Sequence, residues 1–248
     1  MKTGLLDWRI ALAVACVTVS TGAVAQAHWG YEGKEGPQNW SKLAPAFALC
    51  GSGKNQSPIN IDRLIEADLP PLKFAYAAGA MEIVNNGHTI QINYAPGSSL
   101  SVDGRAFDLK QFHFHSPSEN RIAGKVFPLE GHLVHADKDG NLAVVAVMFE
   151  EGPANAQLAK LWEKMPGKPD GKNALPAALS VSPLLPVERD YYRFNGSLTT
   201  PPCSEGVRWF VFKSTVTASK AQIQQFSKTI GHPNNRPLNP VNARPILK

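Results

Sequence analysis

Seven histidines are spread along the chain, and four of them fall in two short stretches, "LKQFHFHSPSEN" with His113 and His115 and "LEGHLVHAD" with His132 and His135. Side chains alternate across a strand, so Gln111, His113 and His115 share one face and two imidazoles are aimed at one point. His132 and His135 are an odd number of residues apart, so only one of them can join that point. His132 is the better candidate. Glu130 lies two residues before it on the same face, where a carboxylate can take the proton of the ring nitrogen that does not ligate, and Gln111 can do the same for His113. Three neutral imidazoles without a thiolate or carboxylate suit a metal whose fourth position is left open, the arrangement of a catalytic zinc; a closed structural site more often uses cysteines. Histidines satisfied within a core are the plain alternative, which fits any lone one better than it fits H-x-H on an apolar strand with a third histidine on a second strand.

The elements that must position these residues are mostly strands. Apolar alternation bounded by Gly, Pro, Asn and Asp marks "MEIVNN", "HTIQINY", "SLSV", "KQFHFHS", "LEGHLVHAD", "LAVVAVMF", "YYRFNGS" and "VRWFVFK". Only "AQLAKLWEKM" and "SKAQIQQFSKTI" have helical spacing. The expected fold is mainly β within the α+β class, a large sheet with short helices laid around it.

With 248 residues, 43% hydrophobic and 18% charged, the chain suits one large domain with a sizeable core. The net charge of +5 comes from 25 scattered basic residues without a Lys/Arg run, which reads as a solvated surface and not as a nucleic-acid footprint. Lys2 and Arg9, an apolar stretch from Ile10 and the triplet Ala25-Gln26-Ala27 read as a secretory signal peptide over residues 1–27, leaving a mature domain over 28–248. A retained anchor fits less well, because Ser20, Thr21 and Gly22 weaken the apolar run, and Cys16 is a poor lipobox match. The expected location is the periplasm or outside the cell, with no membrane anchor after cleavage. The mature chain keeps Cys50 and Cys203, an even pair that in an oxidising compartment usually closes a disulfide; two buried free thiols are the alternative.

His113, His115 and Glu119 also have the H-x-H-x3-E spacing of cupin metal sites, which would make Glu119 a ligand to iron, manganese or nickel, but Pro117 interrupts the strand between His115 and Glu119. The segments "NQSPINI" at Asn55, "NNGHTIQI" at Asn85, "QFHFHSPSEN", "EGHLVHAD" and "NGSLTTPPCSEGVRWFVF" at Asn195 resemble the alpha-class carbonic anhydrases, in the same order and over nearly the whole mature chain. The resemblance, to the exported bacterial type, implies a twisted, mostly antiparallel central sheet with short peripheral helices. It implies an enzyme that reversibly hydrates carbon dioxide to bicarbonate and a proton through zinc-bound hydroxide. The family's inactive relatives, binding proteins that have lost zinc histidines, are the non-enzymatic alternative; no ligand is lost here.

Carried over by position, the resemblance makes His113, His115 and His132 the ligands of Zn2+, with Gln111 and Glu130 behind them and His135 a buried structural residue. Thr199 becomes the gatekeeper that donates to Glu119, and Thr200 lies beside it. Val134, Val144, Leu198 and Trp209 match the apolar wall for carbon dioxide; ordinary core packing is their other reading. His88, after the turn signal Asn85-Asn86-Gly87, matches the proton shuttle, with Tyr31, Asn86 and Gln91 ordering water between it and the metal. Cis bonds are implied at Ser57-Pro58 and Pro201-Pro202. Two positions depart from the family pattern: Asn120 where many members have histidine, and Gln91 where many have asparagine. The implied partner is a small molecule, with no nucleic acid, and a homodimer stays open.

Overall fold

The computed structural model describes residues 27–176 and 178–248. Apart from Ala27, the expected signal segment lies outside the described residues, among which no helix is long and apolar enough to cross a membrane.

Strands dominate wherever apolar residues alternate. Seven of them carry the argument: β1 Ala80–Asn85, β2 Ile90–Tyr94, β3 Arg105–His115, β4 Leu129–Ala136, β5 Leu142–Glu151, β6 Tyr191–Ser197 and β7 Glu205–Phe212. They lie side by side in the order β1-β2-β3-β4-β5-β7-β6 within a thirteen-stranded sheet. Neighbours run antiparallel except β5 and β7, which are parallel. This is the large sheet that the strand pattern implies, with the mostly antiparallel arrangement that the resemblance implies.

The two faces bury different things. One face carries Phe107, Leu109, Phe112, Phe114, Leu133 and Phe149 against helices α1 Ala156–Trp162 and α2 Lys220–Ile230, which contribute Leu158, Leu161, Trp162, Phe226 and Ile230. Both helices start on polar caps. The Asn155 side chain accepts from the N–H groups of Gln157 and Leu158, while Ser219 and Gln222 form a reciprocal capping box; α2 stops at Gly231, whose φ of 84° suits glycine. The other face holds a second apolar cluster with Val144, Ala146, Met148, Val207, Trp209 and Val211.

A bulge in β3 lets one strand serve both faces. Pairing with β4 shifts register between Leu109 and Gln111, so Lys110 is an extra residue. Before it, the odd-numbered Phe107 and Leu109 enter the helix-side core; after it, the even-numbered Phe112 and Phe114 do. Gln111, His113 and His115 thereby turn to the opposite face. There His113 stands across from His132, Gln111 from Val134 and His115 from Glu130, whereas Leu109 opposes His135 on the helix side.

Candidate metal centre

The strand register brings one nitrogen from each of His113, His115 and His132 within 4.8 Å of the others. His115 and His132 are buried and His113 half-buried. Each ring has a partner on its far nitrogen. His113 Nδ1 donates to Gln111 Oε1 at 2.8 Å, His115 Nδ1 to the Asn234 carbonyl at 2.7 Å, and His132 Nε2 to Glu130 Oε1 at 2.8 Å. These acceptors set the tautomers, so that Nε2 of His113, Nε2 of His115 and Nδ1 of His132 present lone pairs to one point. Burial, and then the neighbouring imidazoles, push His113 and His132 well below the ordinary histidine range; burial lowers His115 too, opposed by the Asn234 carbonyl. The rings are therefore neutral at physiological pH.

His115 Nε2 and Glu119 Oε2 are buried polar atoms without a hydrogen-bond partner. Orphaned atoms of this kind are costly unless a further group satisfies them, so the donor set fits a zinc ion. Glu119 Oε2 lies 3.5 Å from His115 Nε2 and 3.9 Å from His132 Nδ1, yet its carboxylate is not among the three groups that converge. Its Oε1 accepts from the Arg236 backbone N–H at 2.9 Å. Burial pushes the Glu119 carboxyl up to about 8, against the Arg236 N–H and the Thr199 hydroxyl. A divalent cation beside it would pull the same way as those two groups.

Glu130 organises the region behind His132. Its Oε2 accepts from the backbone N–H groups of Glu119 and Asn120 at 2.6 and 2.9 Å, and its Oε1 from the Asn120 side chain at 2.8 Å. Asn120 thus acts on the carboxylate that orients His132.

Val134, Val144, Leu198 and Trp209 belong to or pack on the same apolar cluster, with the Trp209 ring edge-on to His132 at 4.9 Å. Thr199 is buried and Thr200 half-buried. Their loop is closed by Leu198 N–H donating to the Ser204 carbonyl and Cys203 N–H to the Thr200 carbonyl, and is tied to Cys50 by a disulfide across 153 residues. Pro202 and Pro58 follow cis bonds, as does Pro117, which the sequence reading did not anticipate. Gly196 lets this loop's strand approach Ser57: a Cβ there would stand 2.1 Å from Ser57 Oγ.

His88 sits in the turn between β1 and β2, half-buried, its ring stacked on Trp29 at 3.8 Å. Asn86 Oδ1 accepts from the His88 and Thr89 N–H groups, so this side chain builds the turn. Gln91 stands across from His113 and donates to Asn93. Tyr31 lies 6.5 Å from His88, ring to ring, on a segment pinned by Trp40, whose indole N–H reaches the Gly30 and Glu35 carbonyls.

Two residues of the site escaped the sequence reading. Asn234 holds His115 through its carbonyl, and its side chain bonds Ser116 N–H and the carbonyls of Phe114 and His88. Arg236 is buried and donates to Gln56, Ser57 and Cys50 while its backbone N–H holds Glu119. The only signal was a pair of asparagines and an arginine between prolines, "PNNRP".

Residues 35–248 match the model of the eukaryotic-type carbonic anhydrases. A carbonic anhydrase of Pectobacterium carotovorum is 52% identical over 231 residues, 93% of this chain and 95% of that protein, and one of Neisseria gonorrhoeae is 46% identical over 96% and 94%. The solved alpha-carbonic anhydrase of Thermovibrio ammonificans, in complex with sulfanilamide, superposes with a TM-score of 0.89 at 49% identity, covering 90% of this chain and all of that one. The match runs through both strands of the histidine cluster and the threonine loop, and at such identity the chain belongs to the alpha-class carbonic anhydrases.

Proposed function

We propose that the protein reversibly hydrates carbon dioxide to bicarbonate and a proton at a zinc ion held by His113, His115 and His132. What supports this most is the convergence of three neutral imidazoles whose far nitrogens are all engaged. Zinc in such a site supplies a nucleophile at neutral pH by lowering the pKa of bound water from about 15.7 to about 7, values known for carbonic anhydrase itself.

The chain's own residues do the rest. Thr199, with its hydroxyl proton directed to Glu119, offers only lone pairs to the reaction centre, so it orients a group that has a proton to give. Carbon dioxide carries no net charge, and the surface of Val134, Val144, Leu198 and Trp209 can hold it by apolar contact beside His132. Thr200, next along the loop, would meet the bicarbonate. His88 takes the proton outward: burial, then His28 and His232, hold it below the usual histidine range, so at neutral pH it is empty and ready to accept. Tyr31, Asn86 and Gln91 border that route.

In this reading residues 1–27 are removed on export and residues 28–248 act in the periplasm or outside the cell, a setting that suits the Cys50–Cys203 bridge. Metal analysis of the mature protein with stopped-flow carbon dioxide hydration tests the assignment. Stoichiometric zinc with fast hydration is expected. Zinc without turnover would favour a binding protein, and iron or manganese would favour cupin-like chemistry.

A further inference from the structure

A proton that reaches His88 still has to leave, and that ring is not the only imidazole beside Tyr31. His232, the residue after the Gly231 that ends α2, is half-buried, with its ring 5.7 Å from Tyr31. Tyr31 thus neighbours two histidines, with the His88 ring 6.5 Å away. Burial and the Glu119 charge push the Tyr31 phenol well above its ordinary range, so it stores no charge itself and can only relay hydrogen bonds.

The His232 segment is held in place. Two residues on, Asn234 donates to the carbonyls of His88 and Phe114 at 3.0 and 2.9 Å and accepts from Ser116 N–H at 2.8 Å. One loop therefore ties His232 to the backbone of both His88 and the metal-binding strand. The tautomer is also defined. His232 Nδ1 meets the Pro233 carbonyl at 3.1 Å, and a carbonyl can only accept, so Nδ1 carries the hydrogen and Nε2 keeps its lone pair. His28, which also acts on His88, lies 3.3 Å from Glu35.

We propose that His232 is a second proton acceptor beside Tyr31, exporting protons in parallel with His88. The inference rests on the reaction proposed above. In each cycle the O–H bond of the hydrating water breaks with its electron pair left on oxygen, an N–H bond forms at Nε2 of His232, and that proton passes to buffer; nothing is oxidised or reduced. His232 is also one of the groups that hold His88 below the usual histidine range, after burial and His28.

The test compares zinc-loaded His88→Ala with His88→Ala/His232→Ala. The steady-state hydration rate in dilute buffer is read against carbon dioxide–bicarbonate exchange at equilibrium, which needs no net proton export. The double variant should hydrate about tenfold more slowly than the single one, below the roughly hundredfold of a well-placed acceptor because the proton crosses solvent, and added imidazole should restore both. In a third sample, His232→Ala alone, the His88 imidazole should titrate at higher pH by NMR. Equal hydration in the single and double variants with exchange intact would overturn the role of His232 alone. Absence of exchange in the unsubstituted protein would overturn the reaction reading, and this inference with it.

Discussion

His135 faces away from the metal centre, and that makes it a measurable acid sensor of the fold. Its Nδ1 donates to the Ala143 carbonyl at 3.2 Å and its Nε2 accepts from the Tyr76 hydroxyl at 2.6 Å, so the neutral ring is satisfied at both ends. Burial, the main cause, lowers its pKa from 6.5 to about 4. Between those two values the unfolded chain binds a proton that the native chain refuses. Stability is therefore full above about pH 6.5 and is lost as pH falls towards 4. At about 1.4 kcal/mol per tenfold in proton affinity the loss is about 3 kcal/mol, most of it reached by about pH 4.5. His135→Gln keeps a donor and an acceptor but cannot titrate. Urea unfolding of both zinc-loaded proteins between about pH 7.5 and about pH 4.5 should show the unsubstituted protein losing about 2.5 kcal/mol more than the variant. Parallel stability curves would refute the reasoning, and loss of zinc from the variant would refute the strand phase behind it.

Alanine at His113, His115 or His132 should each abolish zinc retention and hydration. Glu130→Gln, which keeps an acceptor for His132 but removes the charge, should loosen zinc about 10- to 100-fold, read by competition with a chelator. The unreduced, denatured mature protein should offer no alkylatable thiol, and replacing Cys50 and Cys203 by serine should cost roughly 2 to 5 kcal/mol in chemical unfolding, since the bridge closes a loop of 153 residues. Gly196→Ala, whose Cβ would collide with Ser57 Oγ, should cost about 1 to 3 kcal/mol, and Ser57→Gly in the same chain should return part of it.

Local periodicity carried much of the site into view. The two-residue spacing of Gln111, His113 and His115 and the odd spacing of His132 and His135 report directly which side chains share a face, and the β3–β4 register agrees. Partners that arrive from far along the chain leave no such trace. Asn234 is 119 residues from His115, and Arg236 is 117 from Glu119; both sit in a tail without regular period. Asn120 was visible only as a departure behind Glu119, whereas the fold turns its amide onto Glu130. The bulge at Lys110 was illegible for another reason: Phe107 and Leu109 share parity with His113, and a plain alternation would have placed them on the histidine face.

That extra residue makes β3 two half-strands joined out of phase, and the length of this strand is consequently as informative as its composition. Loss of the single Lys110 codon, with every other residue unchanged, would force one half to turn over. Either Gln111, His113 and His115 would be driven into the oily layer beneath the helices, or Phe107 and Leu109 would surface. A change of that kind is all or nothing. A one-residue deletion in the strand that bears two of the three imidazoles would erase the centre in a single step while leaving every one of its residues in the chain.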